Sequence, residues 1–165
     1  MADTNYPLTQ RRLQAGVQIM KMTDDVGFDA YSVVWLYDRS DATWRLVMST
    51  PMLNAKGSLW VYKRLLRVFR NCPLPEGVTP LDIVVIDLQL EFELYGDGYP
   101  GDVLDLLSPE QAEQTMTISR RMRIGQFDID NGEAFFLRRL DPRKRKRRRR
   151  SEDLFDRQVS MLKAA

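Results

Sequence analysis

Apolar side chains recur at i, i+4 and i+7 through Leu13, Val17 and Met20, with Pro7 and Thr9 just ahead of them, so the pattern predicts a first helix from about Thr9 to Met22. Gly16 weakens that helix. After Asp24-Asp25 and Gly27, the run Ala30 to Tyr37 is rich in Tyr, Val and Trp, which suits a strand packed on both faces. A polar stretch, Asp38 to Thr43, leads to a returning strand over Trp44 to Thr50, and the two strands make a β-hairpin. Asn54 is placed to cap a second helix whose body runs from Ser58 to Arg70. At about 100° per residue, Val61, Tyr62, Leu65, Val68 and Phe69 share one apolar face, while Lys56, Trp60, Lys63, Arg67 and Arg70 line the other side.

Cys72-Pro-Leu-Pro-Glu-Gly-Val-Thr-Pro80 cannot continue a helix, because its prolines remove donors and restrict the residues before them; it reads as a loop. Leu81 to Ile86 is β-branched and apolar. Beyond it, Leu88, Leu90, Phe92 and Leu94 alternate with Asp87, Gln89, Glu91 and Glu93, which predicts one long or two short strands. A helical turn after Asp87 competes, since Leu, Gln and Glu are good helix formers. Tyr95 to Asp102 is a glycine-rich loop, and Ser108-Pro109-Glu110-Gln111 matches a capping box for a short helix ending near Gln114. Met116 to Phe127 and Glu133 to Leu140 read as strands joined around Asp130-Asn131-Gly132, where Asn-Gly supports a tight hairpin turn. Ser151-Glu152-Asp153 offers a cap for a last helix with Phe155, Val159 and Leu162 on one face, a segment too short to be stable alone.

The element order predicts an α+β fold: one domain over residues 1–142, with a mainly antiparallel sheet covered by two amphipathic helices. A basic C-terminal tail over 143–165 carries the short terminal helix. At 165 residues the chain is one domain in size and can bury roughly two thirds of its unfolded surface. An apolar fraction of 44% and a charged fraction of 29% are ordinary for a packed globule. The start, MADTNYPLTQRR, does not read as a secretory signal, and no apolar run is long enough to span a bilayer. The cytoplasm is the expected location, with the nucleoid open to it through the tail.

Charge sharpens this picture. Residues 1–142 hold 15 Lys/Arg against 20 Asp/Glu, while residues 143–150 are all basic. Between Arg70 and Arg120 there is no basic residue but ten acidic ones, so two patches of opposite sign are expected on the surface. The octet Arg143, Lys144, Arg145, Lys146, Arg147, Arg148, Arg149, Arg150 cannot bury itself and calls for an acidic partner. Nucleic-acid phosphates are the natural one, because neutralising them releases counterions. The competing readings are a solvated run lying on the protein's own acidic surface, an anionic lipid, or an acidic protein. The helix stripe Lys56, Trp60, Lys63, Arg67 and Arg70 would add a cationic face with an indole able to stack on an unpaired base; its plainer reading is an exposed helix side with Trp60 at the edge of the core. Arg120, Arg121 and Arg123 extend that patch if their strand lies beside the helix.

The remaining chemistry is thin. There is no histidine, which removes serine-histidine, cysteine-histidine and zinc-water mechanisms, and the single cysteine, Cys72, reads as an inert small hydrophobe and excludes an internal disulfide. Asp87, Glu91 and Glu93 stand on one side of a predicted strand. They offer an acidic strip for a basic protein partner, as in an inhibitor or adaptor, or carboxylates for Mg²⁺ or Mn²⁺ in a phosphodiesterase, though any half-solvated strand alternates in this way. Asp128 to Glu133 breaks the calcium-loop pattern at Gly132, and Gly96, Gly98 and Gly101 lack the spacing of a phosphate loop. No cofactor is implied and no motif carries a resemblance to a known family. The reading that remains is a non-catalytic macromolecular interaction module with affinity for nucleic acid through its basic run.

Overall fold

In the computed structural model the described residues are 8–87, 93–94, 116–117, 122–124, 127–129, 134–139 and 151–162. Two adjacent strands form the centre of the molecule. β1 (Ser32–Asp38) and β2 (Thr43–Ser49) pair antiparallel from Ser32 opposite Ser49 to Asp38 opposite Thr43, the hairpin that the alternation of apolar runs and polar turn predicts. The Asp38 carboxylate closes the turn by accepting from the Ser40 backbone N–H at 3.0 Å.

Ahead of the hairpin lies α1 (Gln10–Asp25), with Thr9 accepting from the Arg12 backbone N–H at its start. After the hairpin the chain makes a short helix, α2 (Met52–Lys56), and then α3 (Ser58–Asn71). Asn54 therefore sits inside α2 and caps nothing. The residue before α3 is Gly57, whose φ of 83° lets the backbone turn between the two helices. The predicted apolar face of α3 is the inward one: Val61, Leu65 and Val68 are buried, and Tyr62 and Phe69 are half-buried.

The proline-rich segment after α3 is a loop ending in a 3₁₀ turn, Pro80–Asp82, with a capping box between Thr79 and Asp82. Leu81 thus lies in that turn and is exposed, and β3 begins only at Ile83 (Ile83–Ile86). β3 pairs with β2 in parallel, a connection that needs a helical crossover, which α2 and α3 supply. The Tyr62 hydroxyl accepts from the Val85 backbone N–H at 2.8 Å and ties α3 to this strand.

Short strands complete the molecule: β4 (Glu93–Leu94), β5 (Met116–Thr117), β6 (Met122–Ile124), β7 (Phe127–Ile129) and β8 (Ala134–Arg139). The main sheet is mixed, with the order β3-β2-β1-β8-β5, and every pair in it except β2–β3 is antiparallel; β4-β6-β7 form a second, three-stranded sheet. The pairing expected across Asp130-Asn131-Gly132 is present in part: β5, within the first of the two predicted strands, pairs antiparallel with β8, Met116 opposite Phe136. β7 pairs back onto β6, with Ile124 opposite Phe127, whereas β8 pairs with β1 and β5. Residues 130–132, the capping box at Ser108 and the alternating positions 88–92 lie outside the described residues.

Between Val33 and Val34 the register against β8 shifts from Arg138 to Phe136, which makes Leu137 an extra residue in the strand. That bulge reverses the parity of the side chains. Arg138 comes to stand opposite Val33 and reaches α1, where its guanidinium donates to both oxygens of Asp24 and lies 3.9 Å from Asp29. Hydrogen bonding to Asp24 is the main cause that raises the Arg138 pKa above its ordinary value, against the lowering effect of burial.

One face of the main sheet, carrying Val33, Trp35 and Tyr37 of β1 with Trp44, Leu46 and Met48 of β2, forms a single core with α1, α3 and the last helix, α4 (Ser151–Met161). The two amphipathic helices do cover one face of the sheet. They are joined by α4, which inserts Phe155 and Val159 into the same core. Val34, Leu36 and Val47, on the other face, are also buried, so β1 is covered on both sides.

Candidate nucleic-acid interface

α3 presents three sectors around its axis. The first is the apolar one that faces the sheet. The second holds Lys56 from the end of α2 with Trp60, Arg64 and Arg67, and α4 lies against it. Arg64 stacks on the Trp60 ring, its guanidinium carbon 3.8 Å from the ring centroid, and its Nε donates to Asp156 Oδ1 at 2.7 Å. Phe155 meets the Trp60 ring edge-on with centroids 5.9 Å apart. Lys56 Nζ lies 4.0 Å from Glu152, and Arg67 Nη2 donates at 2.6 Å to the carbonyl of Leu162. These pairs rise together along both segments, so α3 and α4 run side by side in the same sense.

Physical chemistry accounts for each contact. The carbonyls at the end of a helix have no partners within it, and a cation there satisfies them while complementing the dipole; Arg67 fills that place for α4. Glu152 and Asp153 stand in the first turn, where negative charge is favoured. A guanidinium over an indole gains about 0.5–2 kcal/mol according to how far water is excluded. The stripe read from sequence omits Arg64, although Trp60 and Arg64 are four positions apart, the spacing at which helix side chains meet.

The third sector is open. Lys63 and Arg70 are exposed and, among the described residues, have no ion-pair partner; Leu59 and Leu66 alternate with them along the helix at 67% and 39% exposure. The stripe read from sequence is thus divided: Lys56, Trp60 and Arg67 turn to α4, and Lys63 and Arg70 turn to solvent.

Of the other candidate residues, Arg143 to Arg150 lie outside the described residues, as do Glu91, Arg120 and Arg121. The octet is bracketed by two elements of the core, β8 ending at Arg139 and α4 beginning at Ser151. Asp87 follows β3 directly and is half-buried, and Glu93 stands in β4 in register with Arg123 of β6. Arg123 accordingly belongs to the second sheet. Cys72 ends α3 and is half-buried. Among the described residues no group of three carboxylate or cysteine side chains is placed to hold a metal ion, and no helix is long and apolar enough to cross a membrane.

No family model matches this chain, and no curated protein or solved structure matches it with significance.

Proposed function

We propose that this protein is a non-catalytic nucleic-acid-binding module, in which the basic run Arg143–Arg150 supplies affinity for the phosphate backbone and the α+β domain positions that run and engages a second macromolecule. The observation that carries the reading is the charge layout: eight contiguous cations attached to a domain that is otherwise net acidic. Eight cations in sequence reach along a strand or duplex and displace condensed counterions, so binding is driven by salt release and is largely indifferent to sequence. Their place between β8 and α4 supports the reading further, because a run anchored at both flanks loses less freedom on binding than a free end does. A cytoplasmic, nucleoid-associated location follows from such a partner.

The position of α4 governs how the test is made. Cutting the chain after Pro142 would remove Phe155 and Val159 from the core together with the octet, so lost binding would not separate charge from folding. The eight residues are instead exchanged in place for Ser and Gln. Binding of both proteins to single- and double-stranded DNA and RNA is followed by anisotropy across a salt series. The intact protein is expected to lose affinity steeply with salt, with a log–log slope of about −4 to −7, and the exchanged protein to show little binding and a shallow slope. Equal affinities for the two proteins would refute the proposal.

A further inference from the structure

The open sector of α3 mixes leucines with cations. Successive positions Leu59, Lys63, Leu66 and Arg70 fall within about 60° of arc at 100° per residue and run for about three turns of the helix. All four are exposed. Leu59 at 67% and Leu66 at 39% exposure alternate with the two cations along this stripe, so apolar area and positive charge reach solvent side by side. At its C-terminal end the stripe opens into an apolar groove of about 360 Å³ between α3 and the proline-rich loop, walled by Leu66, Phe69, Pro73, Leu74 and Val78, with Arg70 at its rim.

The same helix shows what fits such a face. On the neighbouring sector, α4 docks by setting Glu152 and Asp156, one turn apart, against Lys56 and Arg64, with Phe155 and Val159 buried beside them. The open sector repeats the cationic half of that arrangement, with two leucines in place of the indole. We infer that the Leu59–Lys63–Leu66–Arg70 stripe and the groove at its end form a docking site for an acidic amphipathic helix of a protein partner: carboxylates one or two turns apart pair with Lys63 and Arg70, leucine-like side chains pack on Leu59 and Leu66, and a terminal apolar residue enters the groove. This site uses none of the residues of the basic octet and does not depend on nucleic-acid binding.

The test uses the full chain and a fluorescent synthetic peptide of about five helical turns, built of Leu and Glu in the amphipathic pattern. The comparison peptides are a scrambled one of equal composition and one with Lys in place of Glu. The patterned acidic peptide is expected to bind at least tenfold more tightly than either. Leu59→Ser with Leu66→Ser, and separately Lys63→Glu with Arg70→Glu, are expected to weaken it about tenfold; Leu59→Ser alone, at the more exposed leucine, is expected to weaken it with the melting temperature unchanged. An Asp156→Asn change, on the sector already covered by α4, is expected to leave peptide binding unaltered. Indifference to peptide pattern, or unchanged binding by the stripe variants, overturns the inference. So does a concentration-dependent mass in sedimentation that the leucine variants abolish, which assigns the face to a second copy. Loss of oligonucleotide binding by the leucine variants likewise overturns it and assigns the face to nucleic acid.

Discussion

A methyl group added at Gly16 would share space with the Trp35 indole and with Leu137. Helix propensity alone makes Gly16→Ala favourable by about 1 kcal/mol, whereas overpacking a filled core costs about 1–3 kcal/mol. The second effect wins here, because Trp35 is wholly buried and cannot swing aside. Gly16→Ala should therefore lower the urea midpoint. Gly57→Ala meets no neighbouring atom but holds φ 83° with ψ 158°, a region open essentially to glycine alone, and should cost about 1–3 kcal/mol through the backbone alone. A stabilised Gly16→Ala protein would contradict the packing described for α1. From sequence, Gly16 is only a flaw in a helix; the reason for it lies in a strand that arrives later in the chain. Arg138 was equally hidden, since strict alternation would turn it away from α1, and a single extra residue in β8 turns it back.

Periodicity made the inward face of α3 legible, since Val61, Leu65 and Val68 recur at helical spacing and are all buried. It could not divide the remaining surface into the sector covered by α4 and the sector left open. Both are built of cations and large side chains, and the contact with α4 is made by charges and an indole instead of a second apolar stripe. The terminal helix was predicted, with Phe155, Val159 and Leu162 on one face, but its place in the core depends on Phe28, against which Phe155 packs with centroids 5.2 Å apart. Phe155→Ala should cost about 3–5 kcal/mol, as for other large aromatic truncations in a filled core. Asp156→Asn should cost no more than about 1 kcal/mol, because that carboxylate is half-exposed and water screens its pairing with Arg64. Chemical denaturation of the two variants checks the order. Equal losses would mean that charge, and not the buried ring, holds α4 in place.

At the scale of the molecule, the α+β class and the first hairpin were readable because strand and helix periods alternate cleanly over residues 9–70. The partnering of the later strands was readable only in part. The tight-turn signal at Asn131-Gly132 joins the strand that holds β5 to the one that holds β8, and these do pair, but the pairing of β8 with β1 is decided by which apolar surface the strand covers. β1 is the central strand of the main sheet, yet its neighbour on one side is β8, so Trp35 stands opposite a residue made about a hundred positions later. On a ribosome adding about 5–20 residues per second, the edge of β1 and the site that Phe155 fills wait several seconds for their partners. During that interval Trp35 and Phe28 lack the strand and the helix that later cover them. A fragment ending near residue 90 should accordingly collect in inclusion bodies, while the whole chain made under the same promoter stays in the supernatant. The last quarter of the polypeptide thus completes the core that the first quarter begins.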